Sequence, residues 1–116
     1  MIRFAERQVQ NILTGRKKVT RIGVPSPWKV GEVVTACKLV NGIDQPFAYL
    51  KLVSVRQHKL KEITDADAKL EGYDNRTEFL KVWLELHEAS QDTDDVWALE
   101  FEFVRAVDKH DLNLIG

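Results

Sequence analysis

Seven residues near the start of the chain, 15–21, bring together side chains that can bind a ligand and activate it. They include four cations and one hydroxyl: Arg16, Lys17, Lys18, Arg21 and Thr20. A threonine hydroxyl is a weak nucleophile until a neighbouring base takes its proton, and a lysine serves as that base when nearby cations or burial disfavour its charged form. The segment therefore predicts a site for an anionic or polar ligand, with nucleophilic chemistry as one of its uses.

An amphipathic helix precedes this basic segment. Apolar residues recur near one helical face of residues 4–14: Phe4, Ala5, Val9, Ile12 and Leu13. Gly15 stands where a glycine commonly ends a helix. We therefore expect the basic segment to leave the end of a helix.

Three further segments have the pattern of strands. Residues 32–40 and 47–56 are rich in valine, leucine and aromatics and flank the turn dipeptide Asn41-Gly42, which predicts an antiparallel pair. The second segment has apolar side chains on both faces, which indicates a central strand of a closed or doubly covered sheet. Residues 97–103 alternate between apolar and mainly acidic side chains and predict a strand with one wet face.

Two helices are predicted between these strands. Thr64 and Asp67 have capping-box spacing, and the short helix that they start stops near Gly72. Glu71 then lies at a helix C-terminus, where the helix dipole disfavours a carboxylate unless a cation offsets it. Asn75 starts a second helix, which runs to about Ala89 with an apolar face that we assign to core packing.

Length and composition limit the architecture and the partners. A chain of 116 residues with 44% hydrophobic content builds one core, so we expect a single domain over 1–116, with its core at 2–104 and a tail at 105–116. The net charge of −1 excludes a general polycation. Residues 1–30 nevertheless carry seven Lys/Arg against one acid, whereas residues 61–102 carry four against thirteen. In one interpretation, the basic residues of 1–30 form a surface that contacts nucleic acid. In the other, the basic and acidic residues lie beside each other on the solvent-exposed surface and offset each other's charge.

Several classes of protein find no support. The one cysteine, Cys37, cannot form an internal disulfide, and no apolar stretch is long enough for a membrane span, so we expect a soluble, cytoplasmic protein without a membrane partner. His58, His87 and His110 lack metal-ligand spacing, which predicts no metal site. We expect no cofactor, because no glycine-rich phosphate loop is present, and no Gly-x-Ser-x-Gly elbow supports a serine triad.

Two motifs resemble those of the ASCH family, whose domains are related to the PUA fold. Gly15, Lys17, Thr20 and Arg21 fill its entry motif, and Glu71-Gly72-Tyr73 looks like its Glu-Gly-aromatic signature. The resemblance covers roughly residues 2–104. In the family one residue usually separates Thr from Arg, and in an extended segment the missing residue reverses the side on which Arg21 projects. The resemblance implies an α+β fold, a small PUA-like β-barrel of about five or six strands with two or three packed helices.

The resemblance also implies a function and a site. ASCH domains are associated with RNA or nucleotide recognition, so the expected partner is RNA or a modified nucleoside in a basic cleft. Lys17, Thr20 and Glu71 match the residues that act together in the short bacterial N4-acetylcytidine amidohydrolases, which makes them the catalytic candidates for hydrolysing an acylated exocyclic amine. Beyond the glutamate, this chain is more similar to general ASCH domains than to that branch. The binding candidates are Arg16, Lys18, Arg21, Trp28 and Tyr73.

The residues leave several alternatives open. Glu71 and Lys17 form a structural ion pair in one of them, with Thr20 only a strand residue. Trp28 is either a lid on the core or a platform that stacks a base. The domain is alternatively a non-catalytic RNA-binding module, a ribonuclease, or a protein-interaction domain that uses the acidic residues of 61–102. The sequence does not define an oligomeric state.

Overall fold

The computed structural model describes residues 1–108, 110 and 111. In this part of the chain, five strands form one curled half-barrel sheet, and three α-helices pack with it. The strands are β1 (Ile2–Arg3), β2 (Val19–Ile22), β3 (Val33–Val40), β4 (Ile43–Lys59) and β5 (Asp95–Ala106). The helices are α1 (Glu6–Leu13), α2 (Asp65–Leu70) and α3 (Arg76–Leu86), with a 3-10 turn at Leu60–Glu62. The predicted α+β, PUA-like fold is confirmed.

The sheet has the strand order β1-β3-β4-β5-β2. β3 and β4 form the predicted hairpin around Asn41 and Gly42, whose φ angles of 50° and 79° suit the two central positions of a tight hairpin turn. β4 is the central strand, because it pairs along its length with β3 and β5. The short β2 pairs antiparallel with β5 and lies at one edge.

Several element boundaries differ from the predicted ones. α1 begins at Glu6 rather than at residue 4, because the N–H of Phe4 donates to the carbonyl of Cys37 at 2.8 Å and extends the β1 pairing. β4 begins at Ile43 rather than at residue 47, since Pro46 lies beside a bulge, where a strand tolerates a residue without an N–H. α3 ends at Leu86 instead of Ala89.

The predicted tail divides at the end of the sheet. β5 continues to Ala106, so residues 105 and 106 of that tail belong to the last strand. Residues 109 and 112–116 of the tail lie outside the described part of the chain.

Two apolar clusters stabilise these elements. The main core joins α1 to the sheet, and each fully buried aliphatic side chain in it contributes roughly 1.5–3 kcal/mol. It is built around Ile12, Val34, Leu50, Leu52, Leu99 and Phe101. A second cluster joins α2 and α3 to the ends of β4 and β5, through Leu60, Ile63, Ala68, Phe79, Trp83 and Val96.

Candidate functional site

A cleft of about 170 Å³ is lined by the start of α1, by β2, by the residues after α2 and by one face of α3. Four of the side chains singled out from the sequence line it: Lys17, Thr20, Arg21 and Glu71. Tyr73 lines it as well. The fold therefore brings the two sequence motifs together across 54 positions of the chain.

Main-chain hydrogen bonds fix the basic segment between two helix ends. The N–H of Lys17 donates to the carbonyl of Asn11 in α1 at 2.9 Å, and the N–H of Lys18 donates to the carbonyl of Leu70 in α2 at 2.8 Å. The chain then enters β2, where Thr20 lies opposite Leu99 of β5. Lys17 is therefore held at the junction of α1, α2 and the sheet.

The Glu-Gly-aromatic signature is the C-terminal end of α2. The N–H of Gly72 donates to the carbonyl of Lys69 at 3.0 Å, and the N–H of Tyr73 donates to that of Ala68 at 2.9 Å, which together form a Schellman motif. Gly72 has a φ of 94°, and a Cβ on it would lie 2.8 Å from Gln8 Oε1. The positive φ favours glycine there, and a Cβ would in addition displace the amide ends of the Gln8 and Asn11 side chains on α1. This turn directs Glu71 towards the basic segment.

Glu71 accepts from two buried cations. Lys17 Nζ donates to Glu71 Oε1 at 2.9 Å and to the Glu71 carbonyl at 2.8 Å. Arg21 Nη1 donates to Glu71 Oε2 at 2.9 Å. The side chains of Lys17, Arg21 and Glu71 are 3%, 1% and 4% exposed. The cations offset the unfavourable position of this carboxylate at a helix C-terminus, and the structural ion pair that the sequence left open is present.

Lys17 combines this ion pair with properties that suit a proton acceptor. Burial lowers the pKa of Lys17, and the positive charges of Arg21 and Arg7 lower it further, whereas Glu71 opposes the shift. Among the described residues, Lys17 Nζ donates to the backbone carbonyl oxygen and to Oε1 of Glu71. An ammonium group has three N–H donors, so one is left for another partner. Lys17 can therefore donate to a ligand, or accept a proton once it is neutral.

Thr20 lines the same cleft without a direct link to Lys17. Its side chain is half-buried, and within the described part of the chain its hydroxyl has no hydrogen bond to Lys17. The hydroxyl is therefore free to meet a ligand. Proton transfer between the two side chains needs a bridging water or a rotation of Thr20.

His58 supports the site through its contact with Arg21, and sequence reasoning missed it. It lies on β4 with 8% of its surface exposed, and its Nδ1 is 2.7 Å from the carbonyl of Lys59, to which it donates. Its Nε2 then accepts from Arg21 Nε at 2.9 Å, so the ring is neutral. Burial lowers the pKa of His58, and the charges of Arg21 and Arg56 lower it further. His58 and Glu71 together fix the Arg21 guanidinium.

Arg21 is consequently a buried structural cation rather than a free one. Its Nη2 also lies 3.8 Å from Asp67 Oδ1. Asp67 belongs to the capping box of α2, so Arg21 connects β2 to both ends of that helix. No motif in the sequence indicates His58 or Asp67 as its partners. The contact with His58 depends on the registers of β2 and β4 on either side of β5, and the contact with Asp67 depends on the packing of α2 on the sheet.

Aromatic side chains form the other wall of the cleft. Tyr73 packs edge-on against Phe79, with ring centroids 5.5 Å apart, and Phe79 stacks on Trp83 at 6.0 Å. His87 stacks on Trp83 at 3.9 Å. Phe79 and Trp83 were assigned from their helical spacing to the core alone, whereas they also line the cleft. The site thus pairs a charged wall with an aromatic one.

The remaining predicted binding residues lie elsewhere. Arg16 is exposed and pairs with Asp74 at 3.2 Å. Lys18 is exposed and lines a separate cavity that also contains Glu100 and Glu102. Trp28 is not brought to the cleft, because its ring packs against the main core.

The ion pairs bear on the charge separation seen in the sequence. Three cations of the basic segment, Arg16, Lys17 and Arg21, pair with acids from residues 67–74. The basic and acidic regions therefore mix in space at this point, as the second interpretation of the charge pattern expects.

The described residues contain no group of three His, Cys, Asp or Glu side chains placed to hold a metal ion. Within the same part of the chain, no helix is both long and apolar enough to cross a membrane.

Comparisons with known proteins identify the fold. No protein-family model matches the sequence, and no match is found among curated proteins. Protein EF3133 of Enterococcus faecalis V583, a DUF984 protein, is similar in structure with a TM-score of 0.64 at 22% identity, over 90% of this chain and 74% of that one. The ASCH protein of Zymomonas mobilis gives a TM-score of 0.60 at 13% identity, over 98% and 76%. The ASCH domain of Lactobacillus crispatus JV V101 gives 0.58 at 16%, over 88% and 79%. The chain therefore has the fold of an ASCH-like domain.

Proposed function

We propose that the cleft binds a nucleobase, presented either by RNA or by a modified nucleoside. The observation that carries this proposal is the pairing of a buried donor, Lys17 Nζ, with an aromatic wall that begins at Tyr73. Bases are recognised through polar edges and through stacking on aromatic rings. The volume of about 170 Å³ is below the roughly 300–1,000 Å³ of a drug-sized pocket, which suits a single base better than a complete nucleotide.

Hydrolysis of an acylated exocyclic amine, such as that of N4-acetylcytidine, is the enzymatic form of this proposal. Thr20 Oγ1 attacks the acyl carbon, and its proton passes through a bridging water to neutral Lys17 Nζ. The C–N bond of the adduct breaks, and the proton moves from Lys17 to the departing amine. Water then attacks the threonyl ester, Lys17 takes a proton from that water and returns it to Thr20, and the carboxylic acid leaves. Burial of Lys17 favours the neutral amine that both steps use.

A non-catalytic binding module is the second candidate, and it also has a specific observation in its favour. Both carboxylate oxygens of Glu71 already accept from buried cations, and the hydroxyl of Thr20 has no hydrogen bond to Lys17. In this candidate the same groups recognise the base, and no bond is broken.

Substitution of Thr20 separates the two candidates, because Thr20 lies outside the ion pairs that hold the fold. The wild type, Thr20→Val and Thr20→Ser are incubated with N4-acetylcytidine, and release of cytidine and acetate is followed by chromatography. Catalysis predicts release by the wild type, retained activity in Thr20→Ser and a loss of more than about a hundredfold in the isosteric Thr20→Val. Turnover that survives in Thr20→Val removes Thr20 as nucleophile. Binding of nucleosides without turnover supports the module.

The proposal extends to the setting of the domain. We propose that residues 1–116 form one domain and that the protein lies in the cytoplasm. The location is supported by the buried, unpaired thiol of Cys37, because the cytoplasm keeps thiols reduced. Failure of every nucleoside and of single-stranded RNA to bind would reject the proposed function as a whole.

A further inference from the structure

Arg7 is a cation at the cleft without an acidic partner among the residues that the structure describes. It lies in the first turn of α1, is exposed and lines the cleft. Within the described residues, no carboxylate lies at ion-pair distance from its guanidinium. The neighbouring Arg3 differs, because its guanidinium makes two hydrogen bonds to Asp44, at 2.7 and 3.0 Å. Arg7 is thus available to an anion from outside the protein.

The aromatic wall holds Arg7 in place. The guanidinium carbon lies 5.7 Å from the centroid of the Tyr73 ring, and Arg7 Nη2 donates to Tyr73 Oη at 3.4 Å. These contacts use one of the five N–H donors of the guanidinium and leave the others for an acceptor. A cation that is already oriented loses less entropy when it binds, and the planar fork of arginine matches two oxygens of a phosphate.

The charges that line the cleft favour an anionic ligand. With Lys17 protonated, Glu71 accepts from two cations, and the group retains an excess positive charge that Asp67, at 3.8 Å from Arg21 and shared with Arg56, offsets only in part. Arg7 adds a further charge. With Lys17 neutral, Arg21 and Glu71 balance, and Arg7 is then the cation at the cleft that favours an anion. A neutral nucleoside would leave this positive potential without a counterpart.

The size of the cleft separates the base from the rest of the ligand. If a base occupies the volume of about 170 Å³, the sugar and its substituents must lie outside, beside the exposed residues that border the opening. Arg7 is such a residue. A phosphate on the sugar of the bound base then comes within reach of its free donors.

We propose that the ligand carries a phosphate and that Arg7 binds it, so that the cleft takes a nucleotide, free or within an RNA strand, in preference to a nucleoside. This inference rests on the proposed function, since it assumes a base in the cleft. It assigns to Arg7 an anion contact for which the cationic candidates from the sequence were Arg16, Lys18 and Arg21.

Calorimetric titration of the intact protein tests the inference. The probes are the four common ribonucleosides with N4-acetylcytidine, their 5′- and 3′-monophosphates, and a single-stranded RNA hexamer of the base that binds best. We expect a monophosphate to bind about tenfold more tightly than its nucleoside, because one charge-assisted hydrogen bond changes a Kd by about that factor. In Arg7→Gln this gain disappears while nucleoside affinity is kept. Arg7→Lys, which keeps the charge and loses the fork, is expected to retain part of it.

A matched control removes an exposed charge elsewhere. Lys51 is exposed on β4 and is not among the residues that line the cleft, so Lys51→Gln should retain the full gain. The hexamer distinguishes a strand from a free nucleotide, because its affinity should fall by about 0.7 log units per log unit of salt for each phosphate neutralised. Arg7→Gln should reduce that slope by about one such contact, whereas the control should change it little.

Two results would overturn the inference without touching the proposed function. One is equal affinity of the wild type for nucleosides and their monophosphates. The other is a loss in Arg7→Gln that is the same for nucleoside and monophosphate, because Arg7 would then act only through its packing on Tyr73. Absence of binding by every probe would reject the inference together with the proposed function.

Discussion

Replacing Glu71 by glutamine tests how much of the fold depends on the buried ion pairs. The substitution keeps the shape of the side chain and removes its charge. Lys17 Nζ and Arg21 Nη1 each donate to a different carboxylate oxygen at 2.9 Å, so one of them would face an amide N–H₂ group instead of an acceptor. The variant thus loses one charge-assisted hydrogen bond and the charge that balances two buried cations.

The magnitude follows from burial. Breaking a buried ion pair by removing one partner costs about 3–5 kcal/mol, because the other charge is left without compensation. Lys17 can reduce this cost by losing its proton, since burial has already lowered its pKa, whereas arginine stays charged. We therefore expect Glu71→Gln to reduce the free energy of unfolding by about 3 kcal/mol, a large part of the roughly 5–15 kcal/mol typical of a domain.

Urea denaturation followed by circular dichroism measures the loss of unfolding free energy in Glu71→Gln. A double-mutant cycle with Lys17→Met shows how much of that loss belongs to the Lys17–Glu71 pair. Removing the cation as well as the carboxylate should restore part of the lost stability, with a coupling energy of about 1–3 kcal/mol between the two positions. A cost below about 1 kcal/mol for Glu71→Gln, or a coupling energy near zero, would refute the buried pair as an element of stability.

Three further predictions test other parts of the structure. Because burial and Arg21 lower the pKa of His58 below its ordinary value of about 6.5, its contribution to stability is complete above that pH and is lost as the pH falls through the folded-state pKa. The urea midpoint of wild type should thus fall more between pH 7 and 5 than that of His58→Gln, and parallel pH profiles would contradict this. Gly72→Ala should cost about 1 kcal/mol more than Gly15→Ala in urea denaturation, since both glycines have positive φ, whereas only the Cβ at Gly72 would displace neighbouring side chains, the amide ends of Gln8 and Asn11. Trp28→Leu should lower stability by about 1–2 kcal/mol and leave nucleoside affinity unchanged in calorimetry, because Trp28 packs on the core; a selective loss of affinity would return it to the binding site.

The parts of the fold that local chemistry determines were predictable. Asn41-Gly42 supplies the positive φ angles of a tight hairpin turn, and Thr64 and Asp67 cap α2 as their spacing indicates. The end of α2 at Gly72 follows in the same way from the preference of glycine for that conformation. In each case the interactions join residues a few positions apart, so the sequence contains the whole signal.

The partners within the site were only partly predictable. A family resemblance indicated that Lys17 and Glu71 act together, but no local pattern places His58 beside Arg21, because that contact depends on the registers of β2 and β4 against β5. Trp28 is a residue for which the sequence left two alternatives open. A tryptophan on a proline-containing loop suits either a ligand or a core, and only the folded chain shows which surface its ring covers.

The residues that attract attention in the sequence are also those that hold the fold, and this limits what their substitution can reveal. Loss of activity in a Glu71 or Lys17 variant would follow equally from a missing catalytic group and from a collapsed junction of α1, α2 and the sheet. Thr20 and Arg7 do not have this ambiguity, because both line the cleft and neither belongs to the buried ion pairs. Substitution of Thr20 therefore tests whether the site catalyses a reaction, and substitution of Arg7 tests whether its ligand carries a phosphate.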